Sequence, residues 1–94
     1  MNSNVLSYRE LIEFVENNDF AYVWGSGIMY ANDQEVKDKI AERIAADGVM
    51  IDIVEDIEDE GCGCSELQDE INNGCIVYRV WAYNEEPMYI AYYE

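Results

Sequence analysis

Three cysteines are the residues of this chain best suited to metal or redox chemistry. Cys62 and Cys64 are separated by one glycine, and Cys75 follows eleven residues later. Structural zinc sites use cysteine and histidine ligands at wider spacing, and this chain contains no histidine. Redox pairs use a Cys-x-x-Cys spacing, and nearby carboxylates raise a thiol pKa and disfavour the reactive thiolate. We therefore expect free thiols and no cofactor, with a small cysteine-based metal-binding protein as an alternative.

Carboxylates dominate the charge of the chain, and they are concentrated in one stretch. The net charge is -16, from 21 acidic and five basic residues. Between Ile44 and Tyr78 there is no Lys or Arg, whereas ten of the 21 carboxylates fall there. We call residues 55–70 the acidic segment, and its eight carboxylates are Glu55, Asp56, Glu58, Asp59, Glu60, Glu66, Asp69 and Glu70.

The spacing of these carboxylates suits an imitation of nucleic acid. Carboxylates three or four residues apart on a helix lie about 5–6 Å from one another, and alternate residues of a strand lie about 6.6 Å apart. A DNA duplex carries one phosphate charge per about 1.7 Å of its axis, so a dense carboxylate row can occupy a phosphate-binding groove. The alternative is a solvated loop that keeps a neighbouring strand edge from pairing with other chains.

Catalytic patterns are missing from the sequence. The commonest general base, histidine, does not occur, and neither a P-loop nor a G-x-G-x-x-G motif is present. The acidic segment does not follow the EF-hand spacing, so we expect no dedicated metal site. Paired carboxylates can hydrolyse glycosidic bonds, but a domain of 94 residues offers little cleft for a sugar. We predict that the protein is not an enzyme.

Tyrosines of the last two predicted strands form a second candidate surface. Alternation places Tyr89 and Tyr93 on one face of the last strand. Tyr and Trp are favoured anchors of protein interfaces, so we predict that these two tyrosines contact a partner. Cross-strand aromatic pairs that stabilise the sheet are the alternative.

Helix starts are marked by capping-box patterns. Ser7 with Glu10, Asn32 with Glu35 and Ser65 with Gln68 each place a capping side chain three residues before Glu or Gln. Apolar residues at helical spacing follow the first two patterns, which predicts two longer helices. The third pattern opens a short helix that ends at Asn72-Asn73-Gly74.

Strands occupy the stretches between these helices. β-branched and aromatic residues predict strands at 20–24, 28–30, 49–54, 75–83 and 88–93. Because Asp52 is the only charged residue of strand 49–54, we expect that strand to be central and covered on both faces. The last strand, Met88 to Tyr93, could pair across a homodimer if it is exposed. The order α-β-(β)-α-β-α-β-β predicts an α+β fold with a mainly antiparallel sheet.

Length and composition indicate one folded domain spanning residues 1–94. Half of the residues are hydrophobic and 13% are aromatic, which a disordered chain would lack. No apolar run reaches membrane-spanning length and no targeting segment is visible, so we expect a cytoplasmic protein. The strongly negative charge disfavours direct binding to nucleic acid or to anionic membranes, and it favours a basic nucleic-acid-binding protein as partner.

In size, charge and lack of catalytic residues, the chain resembles the small acidic inhibitors encoded by phages and mobile elements. That class includes anti-CRISPR proteins and anti-restriction DNA mimics. The resemblance is one of composition and rests on no motif. It implies an anti-defence protein that acts in the host cytoplasm and blocks the nucleic-acid-binding surface of a host defence protein. The alternative is an acidic globular protein whose charge is an adaptation of its surface, for example to high salt.

Overall fold

Within the residues that the structure describes, the fold consists of three helices and five strands in the predicted order. The computed structural model describes residues 6–25, 28–55 and 65–92, with only the backbone of Ser65 and Glu66. The elements are α1 (Tyr8–Asn17), β1 (Phe20–Trp24), β2 (Ile28–Ala31), α2 (Gln34–Ala45), β3 (Met50–Val54), α3 (Ser65–Asn72), β4 (Ile76–Trp81) and β5 (Met88–Tyr92). All five strands join one antiparallel sheet, which confirms the predicted α+β class.

The first helix begins as its sequence predicts, whereas the second begins one residue later than predicted. The Ser7 hydroxyl accepts from the Glu10 amide at 3.2 Å, and the Glu10 carboxylate accepts from the Ser7 amide at 2.8 Å. At α2 the cap is Asp33, whose carboxylate accepts from the Glu35 amide at 2.9 Å. A carboxylate at this position also interacts favourably with the positive end of the helix dipole, which explains why Asp33 caps in place of Asn32.

The last strand lies at the centre of the sheet. The strand order is β2-β1-β5-β4-β3, and β5 pairs with both β1 and β4. The predicted pairing of the last strand across a homodimer required an exposed strand, and Met88–Tyr92 does not meet that condition. Four consecutive residues of β5, Met88 to Ala91, are buried, so side chains are covered on both faces of the sheet. Such an uninterrupted apolar run is typical of a central strand.

Strand β3 lies at an edge of the sheet, which contradicts its predicted central position. It pairs with β4 on one side, and no other described strand pairs with it. Only Val54 of β3 is buried, and Ile53 is 43% exposed. The apolar residues of the strand pack on both faces of the sheet, since Ile51 adjoins the cluster under α1 and α2 and Val54 belongs to the cluster under α3. An edge strand that packs on both faces and a central strand share the same sequence pattern.

The two faces of the sheet carry separate buried clusters. Helices α1 and α2 cover one face, where Leu11, Ile40 and Ile44 pack against Tyr78 and Ile90. Helix α3 covers part of the opposite face, where its residue Leu67 is fully buried with Cys75, Val77 and Tyr89. Strand alternation sends successive side chains into one cluster and then the other. None of the described helices combines the length and the apolar character needed to cross a bilayer.

Candidate protein-binding surface

Three of the eight carboxylates of the acidic segment have described side chains. Glu55 directly follows β3 and is exposed, Asp69 on α3 is exposed, and Glu70 is half-buried. Glu66 belongs to α3, and only its backbone is described. The remaining predicted contacts of the segment lie outside the described residues: Asp56, Glu58, Asp59 and Glu60.

Both ends of the acidic segment are attached to the same face of the sheet. Val54, immediately before the segment, is 5% exposed and belongs to the cluster under α3. Leu67, within the segment, is fully buried in the same cluster. Val54 and Leu67, the described residues on either side of the undescribed part, therefore pack on the face opposite α1 and α2.

A second acidic surface lies on the helical layer. Glu10, Glu13 and Glu16 are exposed on α1. A groove of about 340 Å³ separates α1 from α2, and it is lined by Ile12, Ala41 and Ala45 together with Glu16, Asp38 and Glu42. Since α1 and α3 cover opposite faces of the sheet, the glutamates of α1 lie on the side opposite Asp69 and Glu70 of α3. The described residues thus carry acidic side chains on both sides of the sheet.

Three of the five basic residues are engaged in ion pairs within the fold. The pairs are Lys37 Nζ with Asp19 Oδ1 at 2.6 Å, Arg43 with Glu85 at 3.0 Å, and Arg79 with Asp52 at 2.8 Å. The Lys37 and Arg43 side chains are only 11% and 13% exposed. By contrast, every described carboxylate except Asp52 and Glu70 is exposed. These three cations are thus drawn into the fold, whereas Arg9, Lys39 and most described carboxylates remain exposed.

An ordered cluster of Asp52, Arg79, Trp81 and Tyr83 lies on the sheet at the β3–β4 pair. One oxygen of Asp52 accepts hydrogen bonds from Arg79 at 2.8 Å and from Trp81 Nε1 at 2.7 Å. The Arg79 guanidinium lies 5.3 Å from the Trp81 ring centre, and Tyr83 meets that ring edge-on at 5.8 Å. Tyr83 itself is 77% exposed. The cluster presents a fixed indole and a solvent-facing phenol, side chains that frequently anchor protein interfaces.

Sequence reasoning missed this cluster, although the sequence contains a signal for it. Asp52 is the only charged residue of β3 and Arg79 the only one of β4. Opposite charges isolated in two apolar strands are natural cross-strand partners, and these two residues are directly opposite in the sheet. Recognising the pair would have required knowing that β3 and β4 are neighbours.

Protonation of Asp52 gives a testable pH dependence. Hydrogen bonds from Arg79 and then from Trp81 hold the pKa of Asp52 below its ordinary value of 3.8. A lowered pKa contributes stability that is present above pH 3.8 and is lost as the pH falls through the folded-state pKa. We expect Asp52→Asn to lower the melting temperature at neutral pH by about 2–4 °C, with a smaller difference from wild type at strongly acidic pH.

Thermal unfolding followed by circular dichroism from pH 7 to acidic pH checks this expectation. Glu55→Gln is the matched control, because it removes one carboxylate at the end of the same strand, where it is exposed. A constant difference between Asp52→Asn and wild type across the whole pH range would contradict the assigned role of the carboxylate.

Of the two predicted tyrosine contacts, Tyr89 is buried and Tyr93 lies outside the described residues. Tyr89 is only 4% exposed and belongs to the cluster under α3, so its ring is not available to a partner. Its burial follows from the central position of β5, where both faces of the strand are covered. Tyr83 and Tyr30, at 77% and 65%, are the most exposed aromatic residues of the described chain.

Cys75 behaves as a core residue. Its side chain is buried, and its thiol donates to the Tyr92 carbonyl at 3.1 Å. Burial and, to a smaller extent, the charge of Glu70 raise the pKa of Cys75 to about 11, so the thiol is protonated at neutral pH. Cys62 and Cys64 lie outside the described residues. Among the described side chains, no group of three or more Cys, Asp or Glu could hold a metal ion.

Fold and surface together define a small acidic α+β domain with an antiparallel sheet and helices on both faces. No protein-family model, curated protein or solved structure matches the chain.

Proposed function

We propose that this protein is a non-enzymatic inhibitor that binds the basic nucleic-acid-binding surface of a host defence protein in the host cytoplasm. In this proposal it is an anti-CRISPR or anti-restriction protein of a phage or mobile element, and it acts by occupying the site of the nucleic acid. The chain resembles such inhibitors in size and net charge.

One observation carries the proposal. Lys37, Arg43 and Arg79 form ion pairs within the fold, while nearly all described carboxylates remain exposed. On the described surface, exposed carboxylates therefore far outnumber exposed cations, and such a surface attracts a basic partner.

The acidic segment supplies the electrostatic attraction in this mechanism. Its carboxylates would take the places of phosphates in the partner's groove, where Lys and Arg bind backbone oxygens. Trp81 and Tyr83 would add apolar packing, because the hydrogen bond to Asp52 fixes the indole before binding and so reduces the entropy lost. Inhibition would be stoichiometric and would involve no chemical step.

The test is a pull-down of bacterial lysate with the tagged protein at low and high salt. We expect a stoichiometric nucleic-acid-binding partner that is released by about 0.5 M salt and displaced by added DNA or RNA, because charge complementarity is screened. The charge-reversed variant of the acidic segment described in the Discussion serves as the control bait. A salt-resistant partner that nucleic acid does not displace would contradict mimicry and point to Tyr83 and its neighbours.

Adaptation of the surface is the second candidate, because exposed carboxylates occur on both sides of the sheet. Glu13 and Glu42 lie on the helical layer, and Asp69 lies on α3. Capture of no partner at either salt concentration would favour this alternative.

A further inference from the structure

The β1–β2 hairpin is the longest part of the chain without a charged residue. From Phe20 to Asn32 there is no Asp, Glu, Lys or Arg, although 28% of all residues are charged. Asp19 and Asp33 flank this stretch on either side. In a chain of net charge -16, an uncharged stretch of this length is a distinct feature of the sequence.

This uncharged hairpin supplies an unprotected edge of the sheet. Strand β2 pairs with β1 on one side, and no described strand pairs with its other side. Natural edge strands carry charges, proline or bulges that prevent pairing with other chains. The opposite edge carries Asp52 within β3 and Glu55 just after it, whereas β2 contains neither a charged residue nor a proline.

Large apolar side chains are exposed at the same edge. Met29 and Tyr30 of β2 are 40% and 65% exposed. Because Met29 and Tyr30 point to opposite faces, a strand added beside β2 would cover apolar surface on both faces of the sheet. These observations identify the edge of β2 as an interaction surface.

We propose that the occupant of this edge is a second copy of the chain, paired antiparallel through β2. A basic partner would be drawn to the carboxylates elsewhere and would gain no electrostatic attraction at an uncharged strand. Two copies that each carry a charge of -16 repel one another, so they can associate only where charge is absent. The hairpin meets that requirement.

Antiparallel pairing also separates the flanking carboxylates. A two-fold axis perpendicular to the sheet would place Met29 opposite Met29, or Tyr30 opposite Tyr30. The two copies of Asp33 would then be six to eight residue steps apart along the strands, or about 20–26 Å at 3.3 Å per residue. That separation exceeds the Debye length of about 8 Å at physiological salt, so their repulsion is screened. Parallel pairing in register would instead place the two Asp33 side by side.

Sedimentation velocity of the full chain from about 10 to 500 µM tests the proposal. We expect a weak, micromolar dimer, and salt should strengthen it because salt screens the repulsion between copies. Binding to a basic partner should weaken with salt, so the two proposals respond in opposite directions and can fail independently. A chain that stays monomeric at the highest concentration and in high salt would overturn the dimer.

Two edge variants locate the contact. Met29→Lys should raise the dissociation constant of the dimer at least tenfold, because it introduces a cation at the strand edge that the dimer buries. This result is expected even though the substitution lowers the net negative charge and so reduces the repulsion between copies. Ile53→Lys is the matched control on the other edge, with a side chain 43% exposed against 40% for Met29, and it should leave the dimer unchanged. Equal weakening of the dimer in both variants, or weakening in Ile53→Lys alone, would overturn the assignment of the contact to β2.

Amide hydrogen exchange of the unmodified chain provides a second readout that needs no variant. The amides of β2 that point away from β1 should become protected as the protein concentration rises. Protection that does not change with concentration would also overturn the proposal.

Discussion

Reversing three carboxylates of the acidic segment, E58K/D59K/E60K, is expected to weaken binding to the proposed partner about a hundredfold or more. Each substitution replaces attraction with repulsion at a basic surface, and like charges brought together at an interface cost several times the thermal energy. The three residues lie outside the described part of the chain, between Val54 and Leu67, both of which are buried under α3. Affinity measured by isothermal titration calorimetry against the captured partner gives the loss directly.

The control is the triple variant E13K/E16K/E42K on the helical layer. It changes the net charge by the same amount, and its three carboxylates are exposed on the opposite face of the sheet. We expect its affinity to fall only a few-fold, through the long-range field. If the helical variant lost as much affinity as the segment variant, net charge alone would govern binding and no local interface would exist. If only the helical variant lost affinity, the interface would be the α1–α2 groove.

Ile90→Ala is expected to reduce the free energy of unfolding by about 3–4 kcal/mol. Ile90 is fully buried in β5, where it packs with the residues of α1 and α2. Truncation leaves a cavity that the surrounding strands cannot close, because β5 is held by hydrogen bonds on both sides. The free energy of unfolding of a small domain is only about 5–15 kcal/mol, so the variant should unfold at a substantially lower urea concentration.

Ile53→Ala provides the comparison, since the same side chain is 43% exposed on the edge strand β3. Ile53→Ala should reduce the free energy of unfolding by less than about 1 kcal/mol, because solvent already reaches the side chain. Urea denaturation followed by tryptophan fluorescence measures both variants. Similar losses for Ile90→Ala and Ile53→Ala would contradict the strand order described above.

Local structure was predictable because it depends on neighbours in the chain. The capping residues of α1 and the alternation within each strand both reflect interactions within a few residues. Strand order was not predictable in the same way, since it depends on which apolar strands meet. Met88 to Ala91 and Val49 to Val54 look alike as apolar runs, yet the first lies at the centre of the sheet and the second lies at its edge.

The candidate surface was predictable only in part. Charge density identifies the acidic segment from the sequence, because clustering of carboxylates needs no tertiary information. The Asp52–Arg79–Trp81 arrangement joins residues 27 and 29 positions apart, and it exists only because β3 and β4 are neighbours. Tyr89 failed as a predicted contact for the same reason, since its burial follows from the central position of its strand.

The central position of β5 has a consequence for how the chain assembles. Strands β1 and β2 form one part of the sheet and strands β3 and β4 form the other, while β5 joins the two parts. On the ribosome, neither β1 nor β4 can complete its pairing until residues 88–92 have emerged. Closing the sheet then brings Tyr22 beside Ile90, a non-local contact of the kind that slows folding. During synthesis the unpaired edges of β1 and β4 are exposed together, so this interval is when misassembly between nascent chains is easiest.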